Sequence, residues 1–222
     1  MNTNQSTSIW FRLKKDRIFL FKLVITIFHL VGVVGMNSLA LRPYFQLLTP
    51  FHLLLCTGLL FVFHTSWNSN FLWFVILAYG LGFGSEVMGV HTGFPFGNYA
   101  YSNVLGLKLF DTPLMIGVNW LLLVYLSGGV IYSLIKNDFV ASIVGAILLV
   151  ILDFLIEPVA IKLDFWTWQD GIIPLRNYLG WFGVGFIIHL IYRKLPFTKS
   201  NPLSLYLLIN LAIFFILLNI LL

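Results

Sequence analysis

The sequence predicts an all-α fold, a polytopic integral-membrane helix bundle of about seven transmembrane helices in one domain, residues 1-222. Three observations predict it. The chain of 222 residues is 59% hydrophobic and 17% aromatic, with 9% charged residues and a mean hydropathy of +0.95. An ordinary soluble domain carries about 25% charged residues, so a soluble α/β enzyme, a disordered chain and a nucleic-acid module are excluded together. The hydrophobic residues fall into long runs near the length that crosses about 30 Å of hydrocarbon. Turn and breaker residues separate the runs.

The first run, Ile18–Met36, is followed by Ser38-Leu39-Ala40, which resembles a signal-peptidase site. Its length exceeds a signal h-region, so it reads as a retained helix. Arg42-Pro43 leads into the second, Phe45–Phe63, and Trp67-Asn68-Ser69-Asn70 into the third, Phe71–Val90. A long loop, His91 to Thr112, precedes the fourth, Pro113–Ile135. Lys136-Asn137-Asp138 separates it from the fifth, Phe139–Ile161. A second long loop, Lys162 to Pro174, leads to the sixth, Leu175–Leu195. Asn201-Pro202 opens the last, Leu203–Leu222, a scaffold helix (203-222) with Asn210 and Asn219 as its strong polar groups.

Basic residues orient the bundle. With the N-terminus inside, Arg12, Lys14, Lys15, Arg17, Lys22, Lys136, Arg193, Lys194 and Lys199 gather on the inner side. Arg42, Lys108, Lys162 and Arg176 remain outside. The expectation is a multi-pass protein of the cell membrane, a bacterial inner membrane, with a cytoplasmic N-terminus. Both long loops then emerge on the outer face, where function concentrates. The single cysteine, Cys56, excludes an internal disulfide and a cysteine-rich metal site.

Three of the eight acids, Glu86, Asp153 and Glu157, lie inside hydrophobic runs. Each costs about 2.5–3.5 kcal/mol at a bilayer centre, so each needs a reason. Gly82, Ser85, Gly89 and Gly93 put small residues on the face of Glu86, and Gly80 with Gly84 reads as a second close-packing pair. Asp153 and Glu157 share one face with Leu149, Ala146, Gly145 and Ser142. Both helices therefore turn their acids into the bundle. At about 1.5 Å per residue, Glu86, Asp153 and Asn119 sit within roughly one turn of one level. Glu157 lies closer to the surface by Pro158, where it either answers backbone groups freed by the proline or joins the site.

Residues 71-181 carry the motifs. Glu86-Val87-Met88-Gly89-Val90-His91-Thr92-Gly93-Phe94-Pro95-Phe96-Gly97-Asn98-Tyr99-Ala100-Tyr101 runs on to Asn119-Trp120. Asp153-Phe154-Leu155-Ile156-Glu157-Pro158 runs on to Trp166-Thr167-Trp168, Asn177-Tyr178 and Gly180-Trp181. These strings resemble the CruF-like carotenoid biosynthesis family, integral-membrane proteins that include carotenoid 1',2'-hydratases and bisanhydrobacterioruberin hydratase. One departure is Glu157, where an aspartate commonly precedes the proline. The resemblance implies addition of water to a terminal double bond of an acyclic carotenoid end group, giving a tertiary alcohol without a redox cofactor. It also implies an acyclic carotenoid as substrate, the lipid bilayer as surroundings and other carotenoid-pathway enzymes as partners.

The residue types suit that chemistry. Hydrating an isolated trisubstituted alkene takes a positioned acid, and a carboxyl kept from water can hold its proton at neutral pH. Aromatic faces stabilise the tertiary cation, and a second carboxylate orients the attacking water. Asp153 is the expected acid and Glu86 the water-orienting base, with exchangeable roles; Asn119 holds the water and Glu157 completes the catalytic set. Substrate contacts are expected from His91, Tyr99, Tyr101, Trp120, Trp166, Trp168, Asn177 and Trp181, although tryptophan and tyrosine also anchor at membrane interfaces. No His-Glu-x-x-His pattern is present, and His29, His52, His64 and His189 are scattered, so no metal and no cofactor are expected. Two other readings fit parts of the pattern. Paired intramembrane acids also mark proton-coupled transporters, and aromatic loops suit a non-catalytic carotenoid-binding subunit.

Overall fold

The computed structural model describes the backbone of residues 3–222 and the side chains from residue 15 onward; Arg12 and Lys14, counted in the charge bias, lie outside the described side chains. Seven helices follow one another: α1 (Thr3–Asn37), α2 (Arg42–Val62), α3 (Ser69–Thr92), α4 (Leu114–Leu134), α5 (Asp138–Lys162), α6 (Leu175–Lys194) and α7 (Ser204–Leu221). They coincide with the seven hydrophobic runs to within a few residues, except that α1 begins well before Ile18. Six of them are long and apolar enough to cross a membrane. The exception is α6, of similar length but carrying Arg176, Asn177, His189, Arg193 and Lys194. Two of its polar groups are accommodated internally: Asn177 and His189 are buried, and His189 Nε2 lies 2.9 Å from Ser127 Oγ on α4.

Local chemistry sets the helix ends. Asn68 caps α3 by accepting from the Phe71 amide at 2.9 Å, and Asn137 caps α5 by accepting from Val140 at 3.0 Å. Gly93 closes α3 at φ +69°, a conformation that suits glycine. Asp138, in the first turn of α5, is held by Arg193 (2.9 Å) and Lys194 (3.0 Å) at the end of α6. That fork pins α5 antiparallel to α6 at the end remote from the long loops.

The central helix is α4, whose Trp120–Gly128 stretch is buried without interruption. Small residues let its neighbours approach. A Cβ on Gly82 would stand 2.4 Å from the Trp120 side chain, and one on Gly145 would stand 2.4 Å from the His189 ring. The second glycine pair of α3 does not pack as expected. Gly80 and Gly84 have no heavy atom within 4 Å of where a Cβ would sit, because their face of α3 points away from the bundle. In contrast, Gly82, Ser85, Glu86 and Gly89 are all buried, as are Ser142, Gly145, Ala146, Leu149, Asp153 and Glu157 on α5.

The long loops are more ordered than turn chemistry alone indicates. In the first, β1 (Tyr99–Tyr101) is followed by β2 (Lys108–Leu109) and β3 (Thr112–Pro113), which pair with each other. In the second, β4 (Trp166–Trp168) pairs antiparallel with β1, in the register Tyr99↔Trp168, Ala100↔Thr167 and Tyr101↔Trp166. Ser102 N to Phe165 O and Gln169 N to Asn98 O, each at 3.0 Å, extend the ladder at both ends. The two loops are thus one structure, laid across the mouth formed by α3, α4, α5 and α6.

Candidate active site

Side chains in a strand alternate between its faces. Tyr99, Tyr101, Trp166 and Trp168 therefore project to the same side of the β1–β4 ladder, with Tyr99 5.1 Å from Trp168 and Tyr101 5.9 Å from Trp166 between ring centroids. That side faces the acids. Tyr99 Oη donates to Glu86 Oε2 at 2.5 Å, and Tyr101 Oη donates to the same oxygen at 2.7 Å. Trp120 Nε1, from α4, donates to Glu86 Oε1 at 2.9 Å. Glu157 has a parallel arrangement: Trp166 Nε1 (3.0 Å) and Trp168 Nε1 (2.9 Å) both donate to its Oε2. One ladder delivers two hydroxyls to the first acid and two indole N–H groups to the second.

Asn177, on the first turn of α6, ties the second acid to the third. Its amide nitrogen donates to Asp153 Oδ2 at 2.7 Å and reaches Glu157 Oε1 at 3.3 Å. Asp153 Oδ1 is buried without a hydrogen-bond partner. Among the described residues no basic side chain pairs with any of the three acids. Burial, and then the neighbouring Glu86, push the Tyr99 and Tyr101 phenols above their ordinary range, so both hydroxyls remain donors.

A cavity of about 20 Å³ lies among these groups, about the room one water needs. Glu86, Glu157, Asn119, Asn177, Tyr99, Tyr101, Trp166, Trp168 and Trp181 border it. Trp120 lies behind Glu86, fully buried and stacked on Trp181 with centroids 4.2 Å apart. Asp153 is set back behind Asn177 and does not border the cavity. His91 stands elsewhere: its side chain is 48% exposed and its Nε2 lies 3.2 Å from the Phe110 carbonyl. Three further wall residues, Phe96, Ile116 and Ile156, are absent from the expected set. Helical spacing places Ile116 three residues before Asn119 and Ile156 three after Asp153, while Phe96 lies inside the first motif.

The sequence profile described as carotenoid biosynthesis protein matches residues 48–222. The chain belongs to the carotenoid biosynthesis protein family. Among curated relatives of this family member is the bisanhydrobacterioruberin hydratase of Haloarcula japonica, 26% identical in a 193-residue alignment that covers 76% of this chain and 63% of the relative. The match thus spans less than two thirds of the relative's length. No solved structure matches the chain. The acid cavity of the family member lies wholly within the matched residues, as do both aromatic strands that supply its donors.

Proposed function

We propose that the protein is a carotenoid hydratase that adds water to a terminal double bond of an acyclic carotenoid end group, giving a tertiary alcohol. One observation carries the reading: two carboxyl groups, Glu86 and Glu157, border a one-water cavity with aromatic walls. Family membership and the name of the haloarchaeal relative support it.

The roles follow from hydrogen bonding. Glu86 accepts from three donors, a pattern that suits an ionised carboxylate. Three carboxyls without a cation among their contacts do not all carry charge in so apolar a place, so Glu157 and Asp153 keep a proton between them. Glu157 borders the cavity and its Oε1 has only the long contact to Asn177, so Glu157 is the donor and Asp153 its positioning partner. Glu157 protonates the less substituted alkene carbon, leaving the positive charge on the tertiary carbon. The indole and phenol faces, with ionised Glu86, stabilise that cation. Water held by Asn119 and Glu86 attacks the cation and passes a proton to Glu86. Transfer of that proton back to Glu157 through cavity water restores the site. The alkene end enters between Tyr101 and Trp166, the partly exposed pair at the rim of the cavity.

The test is expression of the chain in a bacterial host that makes lycopene-type pigments, with products weighed by mass spectrometry. Gain of one or two waters, lost in Glu86→Gln and Glu157→Gln protein that still accumulates, supports the reading. Unchanged pigments across several acyclic carotenoids overturn it.

A further inference from the structure

A second polar cluster lies away from the acid cavity, on the other side of the bundle. His29 on α1 and His52 and Cys56 on α2 bring one ligand atom each to within 4.8 Å of one another. His29 and His52 border an apolar groove of about 320 Å³ between α1, α2, α5 and α7. Neither the alkene chemistry nor the two sequence motifs uses them.

His29 shows that the cluster is incomplete. Its Nδ1 lies 2.8 Å from the Ile25 carbonyl. A carbonyl only accepts, so Nδ1 carries hydrogen and, in the neutral ring, Nε2 presents a lone pair. That Nε2 is buried without a hydrogen-bond partner, in a residue only 3% exposed. An unanswered acceptor is expensive in an apolar setting. A ring fixed through one nitrogen to a backbone carbonyl, with the other nitrogen turned inward, is also how metal-binding histidines are oriented. His52 and Cys56 are one turn apart on α2, with Nε2 and Sγ 3.5 Å from each other. Metal–ligand bonds of about 2.0–2.3 Å in a trigonal arrangement separate donor atoms by about 3.6 Å, so this pair already has the spacing. The third donor needs a shift of about 1 Å, within reach of side-chain rotation.

We propose that His29, His52 and Cys56 bind a single copper(I) ion. Thiolate and imidazole together select a soft or borderline ion. Net charge then selects between candidates. Copper(I) displaces the Cys56 thiol proton to solvent and forms a Cu–S bond, so Cu⁺, one thiolate and two neutral imidazoles sum to zero. Zinc(II) on the same ligands leaves a positive charge inside the membrane, where charge is costly. Three donors also complete a trigonal copper(I) site, whereas zinc(II) seeks a fourth ligand, and no further His, Cys, Asp or Glu among the described residues joins the cluster. Phe28 stacks on His52, and Phe214 meets His29 edge-on, so aromatic rings screen the ligands from lipid.

The test uses the full chain purified in detergent without oxygen, loaded with copper(I) as its acetonitrile complex and desalted. The expected result is one copper per chain, with X-ray absorption showing one sulfur and two imidazole nitrogens. His29→Ala and Cys56→Ser should each lower copper retention at least about tenfold. No retained copper, absence of a sulfur neighbour, undiminished retention in Cys56→Ser, or equal retention of zinc(II) offered in its place each overturns the proposal. Should the variants fail to accumulate, the stoichiometry and absorption spectrum of the unaltered chain decide. Neither readout depends on alkene hydration, so the hydratase reading and the copper site stand or fall separately.

Discussion

Trp120 Nε1 donates to Glu86 Oε1 at 2.9 Å, so the acid of α3 is fixed from the centre of α4. Trp120→Phe keeps an aromatic ring beside Trp181 but removes that donor together with part of the buried indole volume. A buried carboxylate that loses one of three donors should cost about 1–3 kcal/mol of stability. Thermal unfolding in detergent should show the loss, and hydrated product should fall several-fold rather than vanish. An unchanged melting temperature would mean that the bond contributes nothing.

Glu157 and Asp153 should not respond alike. Glu157→Gln removes the cavity-lining donor and should reduce hydration by about 10²–10⁴-fold. Asp153→Asn removes a neighbouring charge and should leave measurable activity with a displaced pH profile. Quantitative pigment analysis across external pH in membrane preparations reads both. The opposite ranking would transfer the donor role to Asp153.

Gly82→Ala drives a methyl into Trp120 and should destabilise by about 1–3 kcal/mol through overpacking. The same change at Gly80 or Gly84 meets no neighbour within 4 Å. There, relief of glycine's backbone entropy should raise stability by up to about 1 kcal/mol. Three melting curves distinguish the packed glycine from the open ones.

Lys199 lies in the connection between α6 and α7, 4% exposed, with its ammonium donating to the Leu195 (2.6 Å) and Phe197 (3.2 Å) carbonyls. Burial, followed by repulsion from Arg193, pulls it down to about 8 from the usual 10.5. Between those values the unfolded chain binds more protons than the folded one, so stability rises with pH across that window. Melting temperature should therefore climb from pH 8 to about 9.5, below the range where unfolded tyrosines ionise. The climb should disappear in Lys199→Met.

If all seven helices cross, the basic-residue bias predicts a C-terminus outside and an N-terminus inside. A reporter fused after Leu222 should be accessible from outside in intact cells. Accessibility only after cell lysis would reverse the sidedness of the acid cavity.

The helices were legible because lipid imposes length and composition together. Runs such as Phe139–Ile161 and helices such as Asp138–Lys162 differ by one residue at each end. The acids were legible for a related reason, since a carboxylate in such a run is too costly to be incidental. The β1–β4 pairing was not. Three-residue strands whose paired positions lie 65 to 69 residues apart carry no local periodicity long enough to read, and their register shows only in the assembled bundle. His91 and Phe96 show the same limit within one motif. His91 sits in the last turn of α3, five residues after Glu86 and off its face, and points outward to Phe110, while Phe96, in the loop beyond, is buried beside the acid cavity, where spacing does not define a face. His29, His52 and Cys56 come from two helices, so no linear spacing joins them.

Each acid takes its donors from its own stretch of chain: Glu86 from Tyr99, Tyr101 and Trp120, and Glu157 from Trp166, Trp168 and Asn177. All three partners of Glu86 therefore precede Glu157 in the chain, so they have been synthesised before the second carboxylate. The two sets of donors meet along the β1–β4 ladder, and the cavity shared by Glu86 and Glu157 exists only once that ladder has paired.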